Sequence, residues 1–153
     1  MKLHKLTFIL SVLIALLAWA MVFAVIAEAR SIRDLTIEYV DLIDNCGGGS
    51  YLKELPEGMI YAGCYDAPTE HIQISTRITK AKQKQVLIHE FAHFMTYDAS
   101  LEEQQEAFGF SSTTDWTTVR ERVADRYKQK VFIWNLPQKE LDFYKKYEDL
   151  LTY

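Results

Sequence analysis

The sequence predicts one α+β domain over residues 30–153, preceded over residues 1–29 by a helix that either crosses a membrane or serves as a signal peptide. Three observations lead to this prediction. Residues 6–27 are almost continuously apolar and uncharged, two short segments between turn signals have the pattern of strands, and several segments have apolar residues at helical spacing. A chain of 153 residues has room for a single domain.

The N-terminal apolar run is long enough to cross a bilayer, since about 20 such residues suffice. Lys2 and Lys5 precede the run, which places the N-terminus inside and the domain on the extracytoplasmic side of a single-pass anchor. The alternative is secretion, because Ala27-Glu28-Ala29 matches a signal-peptide cleavage site. The length of the run favours a retained anchor.

Apolar residues at spacings of three and four predict a first helix from Ser31 to Ile43, which ends before the glycine run 47–49. Residues 59–65 and 71–76 are predicted to be strands that pair as a short antiparallel hairpin around the turn at 66–70.

Further helices are expected over residues 79–97 and 115–133 and after Pro137. The packed face of the helix over 115–133 is predicted to consist of Trp116, Val119, Val123 and Tyr127.

The two cysteines, Cys46 and Cys64, are predicted to form one disulfide, since an exported domain lies where disulfides persist. Two free thiols, or a cysteine nucleophile assisted by a histidine, are the alternatives. The net charge is −4 at neutral pH and the charges are well mixed. Because no basic stripe is present in the sequence, nucleic acid is excluded as a partner.

Residues 89–93 read His-Glu-Phe-Ala-His, an HExxH pattern inside a segment predicted to be helical. Two histidines four residues apart project from one face of a helix, so His89 and His93 can bind the same metal ion, and Glu90 can reach a water on that metal. Histidine ligands and an open position for water predict one catalytic zinc ion. The simpler interpretation is a pair of ordinary surface histidines.

A catalytic zinc site needs a third protein ligand, and no further histidine follows the motif. Downstream, Glu121 and Asp125 lie one turn apart on the next long helix, on a face distinct from its apolar stripe. Glu102, Glu103 and Glu106 are rival carboxylates that lie closer to the motif in sequence. An exposed glutamate that pairs with neighbouring arginines is the structural alternative for Glu121.

With HExxH followed by Glu-x-x-x-Asp on a later helix, the sequence resembles the gluzincin branch of the zincin metallopeptidases. The resemblance rests on two short motifs and their order. It implies that Glu121 is the third zinc ligand and that Asp125 accepts a hydrogen bond from His89. It also implies a minimal zincin-like fold, in which an edge strand beside the active-site helix, here His71, Ile72, Gln73 and Ile74, pairs with the substrate peptide.

These motifs predict a zinc-dependent peptidase that cleaves proteins or peptides outside the cytoplasm. Glu90 would take a proton from water and deliver it to the leaving amine. Tyr97, His71 and Tyr127 are the candidates for a residue that stabilises the oxyanion, and each has an ordinary packing or surface role as its alternative. The alternative function is an inactive, zinc-stabilised extracytoplasmic binding module.

Overall fold

A computed structural model describes residues 31–43, 60–133 and 135–151. The predicted membrane or signal helix, the glycine run and Cys46 lie outside the described residues. Within the three described ranges, no helix combines the length and the apolar character needed to cross a membrane.

The described part of the chain is an α+β domain with a three-stranded mixed sheet and four helices. The strands are β1 (Thr36–Val40), β2 (Gly63–Asp66) and β3 (His71–Ser75). The helices are α1 (Lys80–Met95), α2 (Leu101–Phe108), α3 (Trp116–Ile133) and α4 (Gln138–Leu150). The predicted α+β class is therefore confirmed.

The strand order is β1-β3-β2. The predicted hairpin is confirmed, because β2 pairs antiparallel with β3 and Tyr65 lies opposite Ile72. On the other side β1 runs parallel to β3, with Ile37 opposite Ile72. The sheet is thus mixed, whereas the sequence had predicted a purely antiparallel one.

The helix predicted from Ser31 to Ile43 is wrong, since this segment contains β1. Its apolar residues do recur at helical spacing, but residues 36–40 are also rich in β-branched and aromatic side chains. Pairing with the hairpin stabilises the strand rather than the helix. The Thr36 N–H donates to Glu70 O at 3.0 Å, and the Thr76 N–H donates to Val40 O at 2.7 Å.

The prediction that residues 71–74 form an edge strand is also wrong. β3 lies between β1 and β2, so both of its edges are occupied by neighbouring strands. Among the described strands β2 is the edge strand next to α1. Since Ala62 O accepts from the Ser75 N–H at 3.0 Å, the alternation of an antiparallel ladder turns the backbone groups of Gly63 and Tyr65 away from β3.

Helices α1, α3 and α4 are confirmed, and α2 was not predicted. The side chain of Thr79 caps α1 by accepting from the Lys82 N–H at 3.3 Å. Ser100 caps α2 in the same way through the Glu103 N–H at 3.1 Å, and Gly109 ends it with a φ of 68°.

Two groups of buried side chains hold the domain together. One joins α1, α3 and α4 and includes Ala92, Val123 and Tyr144; the other joins the sheet to α1 through Ile72, Ile74 and Val86. In the predicted α3 stripe Val119, Val123 and Tyr127 are buried. The assignment of Trp116 to that packed face is wrong, because its side chain is 39% exposed at the start of the helix.

Cys64 is buried in β2 and forms a disulfide. The chain's only other cysteine is Cys46.

Candidate metal centre

The HExxH segment lies on α1 and faces the Glu-x-x-x-Asp segment of α3. Small side chains let the two helices approach, since Ala92 on α1 and Ala124 on α3 are both buried in the same cluster. The helices run in opposite directions, because His89 faces Asp125 and Glu121 whereas Tyr97, further along the chain, faces Arg120. This antiparallel packing brings together two motifs that are about thirty residues apart in sequence.

Possible metal-ligand atoms of three residues converge at this contact. The Nε2 atoms of His89 and His93 are 3.2 Å apart. The Glu121 carboxylate places Oε2 3.2 Å from the Nε2 of His89 and Oε1 3.4 Å from the Nε2 of His93. Of the residues that the structure describes, only His89, His93 and Glu121 form a group of histidine, cysteine or acidic side chains able to hold a metal ion together.

The spacing of these atoms fits a small divalent cation. In a tetrahedral site with zinc–ligand bonds of about 2.0–2.1 Å, neighbouring ligand atoms lie roughly 3.3 Å apart. The two histidine nitrogens are 3.2 Å apart, and they lie 3.2 and 3.4 Å from two different oxygens of Glu121. One ligand atom from each of the three residues lies within 4.8 Å of the other two, which is close enough for a shared cation. Two imidazoles and one carboxylate are also ligands that zinc accepts, and they leave a fourth position open for water.

Asp125 orients the first histidine. Its Oδ1 lies 3.2 Å from the Nδ1 of His89, so a proton on Nδ1 can be donated to the carboxylate and the lone pair of Nε2 then points towards His93 and Glu121. Lys128 donates to the same Oδ1 at 2.7 Å. Burial raises the pKa of Asp125, but Lys128 and His89 outweigh burial, and the net pKa is lowered. Asp125 therefore stays ionised.

The charges of the candidate ligands depend on one another. Hydrogen bonds with His89 and His93 hold the pKa of Glu121 far below its usual range. Burial alone would lower the pKa of His89, but the hydrogen bond with Glu121 and the nearby carboxylates raise it overall. Without a cation, the cluster is thus stabilised by a proton on His89; a divalent cation would compete with that proton for the same lone pair.

Glu90 follows His89 on α1 and is only 8% exposed. Burial raises the pKa of its carboxyl group, while the two histidines and a hydrogen bond from the Tyr65 backbone N–H oppose the rise. A carboxylate whose pKa is raised is a stronger base than an exposed one. The bond from Tyr65 also ties Glu90 to strand β2.

A cleft of about 680 Å³ opens beside these residues. His89, Glu90, His93 and Glu121 lie along its wall, and β2 forms part of the opposite side. The sequence analysis missed several other residues of the lining: Tyr61, Tyr65, Trp116, Thr117 and Arg120. The positions of Thr117 and Arg120 could have been inferred, because they precede Glu121 by four residues and one residue on the same helix.

The three candidates for oxyanion stabilisation have different surroundings. Tyr97 lines the cleft and packs edge-to-face on Tyr65, with ring centroids 6.2 Å apart. Tyr127, on α3, is buried and donates its hydroxyl hydrogen to Glu148 on α4 at 3.0 Å. His71 lies 3.4 Å from Glu38 on β1 and does not line the cleft. Only Tyr97 is therefore placed where it could contact a substrate.

Two of the three rival carboxylates on α2 have other partners. Glu103 accepts hydrogen bonds from Lys146 and Tyr147, both at 2.6 Å, and Glu106 lies 3.4 Å from Lys139. Glu102 belongs to the same helix, and none of the three lines the cleft.

Comparison of the chain with the known protein families, with curated proteins and with solved structures gave no match.

Proposed function

We propose that this protein is a zinc-dependent peptidase of the gluzincin type that hydrolyses peptide bonds outside the cytoplasm. The observation that carries the proposal is the convergence of possible ligand atoms of His89, His93 and Glu121 within 4.8 Å of one another, with Glu90 in the same cleft. An α+β domain with an active-site helix beside a small sheet is compatible with a minimal zincin-like fold.

The chain's own residues supply most of the chemistry. His89, His93 and Glu121 would hold the metal, and Asp125 keeps the His89 ring in the tautomer that presents Nε2. A zinc ion held there would polarise the scissile carbonyl group and acidify a water molecule. The Glu90 carboxylate would accept a proton from the attacking water and later transfer it to the amine that leaves. Burial raises the pKa of Glu90 and so strengthens it as the base in the first transfer.

Strand β2 is the element best placed to bind an extended peptide. Gly63 turns its backbone N–H and C=O away from β3 and lines the cleft next to Glu90. Tyr65 faces the same way, but its N–H already donates to Glu90. A substrate strand that added to this edge would gain main-chain hydrogen bonds with little dependence on sequence. β2 therefore takes the role that the sequence had suggested for β3.

The proposed location rests on the sequence before residue 30. Residues 6–27 would anchor the protein as a single-pass segment with its N-terminus inside, or be removed as a signal peptide. The disulfide at Cys64 supports an oxidising compartment, because disulfides persist outside the cytoplasm.

The experiment is cleavage of a mixed peptide library by the full chain, purified in detergent and loaded with zinc, read by mass spectrometry. Glu90→Gln should retain one zinc ion per chain and lose about 10²- to 10⁴-fold in kcat/KM, as removal of a general base does. Glu102→Gln is the matched control, because it makes the same change at an exposed position outside the cleft.

Cleavage by Glu90→Gln at the wild-type rate would contradict the proposal. A zinc-loaded protein that melts at a lower temperature after chelation, yet cuts none of the peptides, would instead support the alternative of a zinc-stabilised binding module.

A further inference from the structure

Arg120 carries a fixed positive charge in the cleft. Its guanidinium carbon lies 4.8 Å from the centre of the Tyr97 ring and 5.0 Å from the centre of the Trp116 ring. A planar guanidinium that stacks on aromatic rings keeps its hydrogen-bond donors in a defined plane. Such a group can form a charge-assisted hydrogen bond with a carboxylate.

Arg120 is also the only lysine or arginine among the described residues that line the main cleft. The other charged groups there are Glu90, Glu121 and the two histidines. A divalent ion in the metal centre would balance the two carboxylates, so Arg120 would leave the cleft with a net positive charge. This charge contrasts with the net charge of −4 for the whole chain.

The position of Arg120 along the cleft sets the reach of this charge. Tyr97 follows His93 by four residues, just after the end of α1, which places its ring about one helical turn, or roughly 6 Å, beyond the metal centre. An extended peptide advances about 3.3–3.6 Å per residue. A group that contacts Arg120 would therefore lie within about two residues of the bond held at the metal centre.

The opposite end of the cleft is less suited to binding a negatively charged group. It continues past His89 into a smaller space of about 220 Å³ lined by Lys82 and Lys128. Lys128 already donates to Asp125 at 2.7 Å, and Lys82 is exposed to solvent. Neither lysine stacks on the two aromatic rings that contact Arg120.

We propose that Arg120 is a specificity-determining residue that binds a substrate carboxylate within about two residues of the scissile bond. This inference rests on the proposed function, and it names the substrate class as peptides with a negative charge next to the cleavage site. The carboxylate has two possible sources, a peptide C-terminus or an aspartate or glutamate side chain.

The test compares matched peptides with the zinc-loaded full chain. One pair has the same sequence and ends in a free carboxylate or a carboxamide; a second pair is amidated and differs only by Asp or Asn near the cleavage site. In one of the two peptide pairs, the charged peptide should be preferred by about 10- to 100-fold in kcat/KM, which is the effect expected of one charge-assisted hydrogen bond. The pair that shows the preference identifies the source of the carboxylate.

Three variants separate charge from packing. Arg120→Met keeps an apolar side chain against the rings and should abolish the preference, mainly by raising KM for the charged peptide. Arg120→Lys should retain part of it. Arg122→Met removes the same charge from an exposed position on the same helix and should leave the preference intact.

Binding of the same peptides to zinc-loaded Glu90→Gln protein, measured by calorimetry, gives a readout that does not need turnover. Equal affinity for charged and neutral peptides, or a preference that survives in Arg120→Met, would overturn the assignment of Arg120. A preference that depends on Arg120 in a protein that cleaves nothing would support carboxylate binding and refute the peptidase.

Discussion

Gly63 provides the sharpest test of how the sheet positions the cleft. A methyl group at this position would lie 2.2 Å from Cγ1 of Val86, where ordinary contact begins at 3.4 Å. Val86 is buried and β-branched, so it has few alternative rotamers with which to avoid the clash. Gly63→Ala must therefore push β2 away from α1 by about an ångström or force Val86 out of its rotamer.

Overpacking of this kind typically costs about 1–3 kcal/mol. We expect Gly63→Ala to lower the free energy of unfolding by that amount. Urea denaturation of the variant and of the wild type measures the difference. The matched variant is Val86→Ala, which removes the clashing methyl group. In the double variant the two changes should compensate each other, with a favourable coupling of about 0.5–3 kcal/mol.

The same displacement should reach Glu90, because the Tyr65 N–H in β2 donates to its carboxylate. Gly63→Ala should lower kcat, and Val86→Ala in the same chain should partly restore it. Additive effects of the two substitutions on stability would refute the close packing of β2 on α1 as the reason for a glycine at this position.

Three further outcomes can be checked. Asp125→Asn should weaken zinc binding by about 10- to 100-fold in a chelator competition, because an amide orients His89 less well than a carboxylate. Removal of zinc should lower the melting temperature, by the equivalent of about 4 kcal/mol if free zinc had exceeded its Kd a thousandfold. Burial opposes ionisation of Glu103, but Lys146 and Tyr147 lower its pKa overall from 4.5. The contribution of ionised Glu103 to the free energy of unfolding should therefore be present above pH 4.5 and be lost as the pH falls below it. In Lys146→Met, the free energy of unfolding should fall less steeply between that pH and about pH 3.

The parts of the fold that the sequence predicted are those encoded locally. Helix α1 follows Thr79, whose side chain caps it, and the two strands of the hairpin are joined by a turn that contains Pro68. Helix α2 was missed although its signals are present: Ser100 and Glu103 have the spacing of a capping box, and Gly109 ends the helix.

Strand β1 could not be predicted in the same way. It pairs with β3, which is about thirty-five residues away, and a parallel pairing leaves no turn signal between the two strands. Four of its five residues are exposed, so the segment also lacks the buried alternation that marks a strand. The same pairing makes β3 the central strand, and this is why the prediction that it forms an edge strand was wrong.

The candidate metal centre and the rest of the cleft differ in how they are encoded. His89 and His93 are one helical turn apart on α1, and Glu121 and Asp125 are one turn apart on α3. The site then forms when α1 and α3 pack with these faces together. Which residues line the rest of the cleft depends on how α3 is rotated about its axis and on the edge of the sheet at which β2 lies. Trp116 illustrates this, because its spacing from Val119 predicts burial, whereas the helix turns it towards Arg120 and the cleft. A motif can therefore indicate the reaction, but the preference for a substrate is set by how the surrounding elements pack.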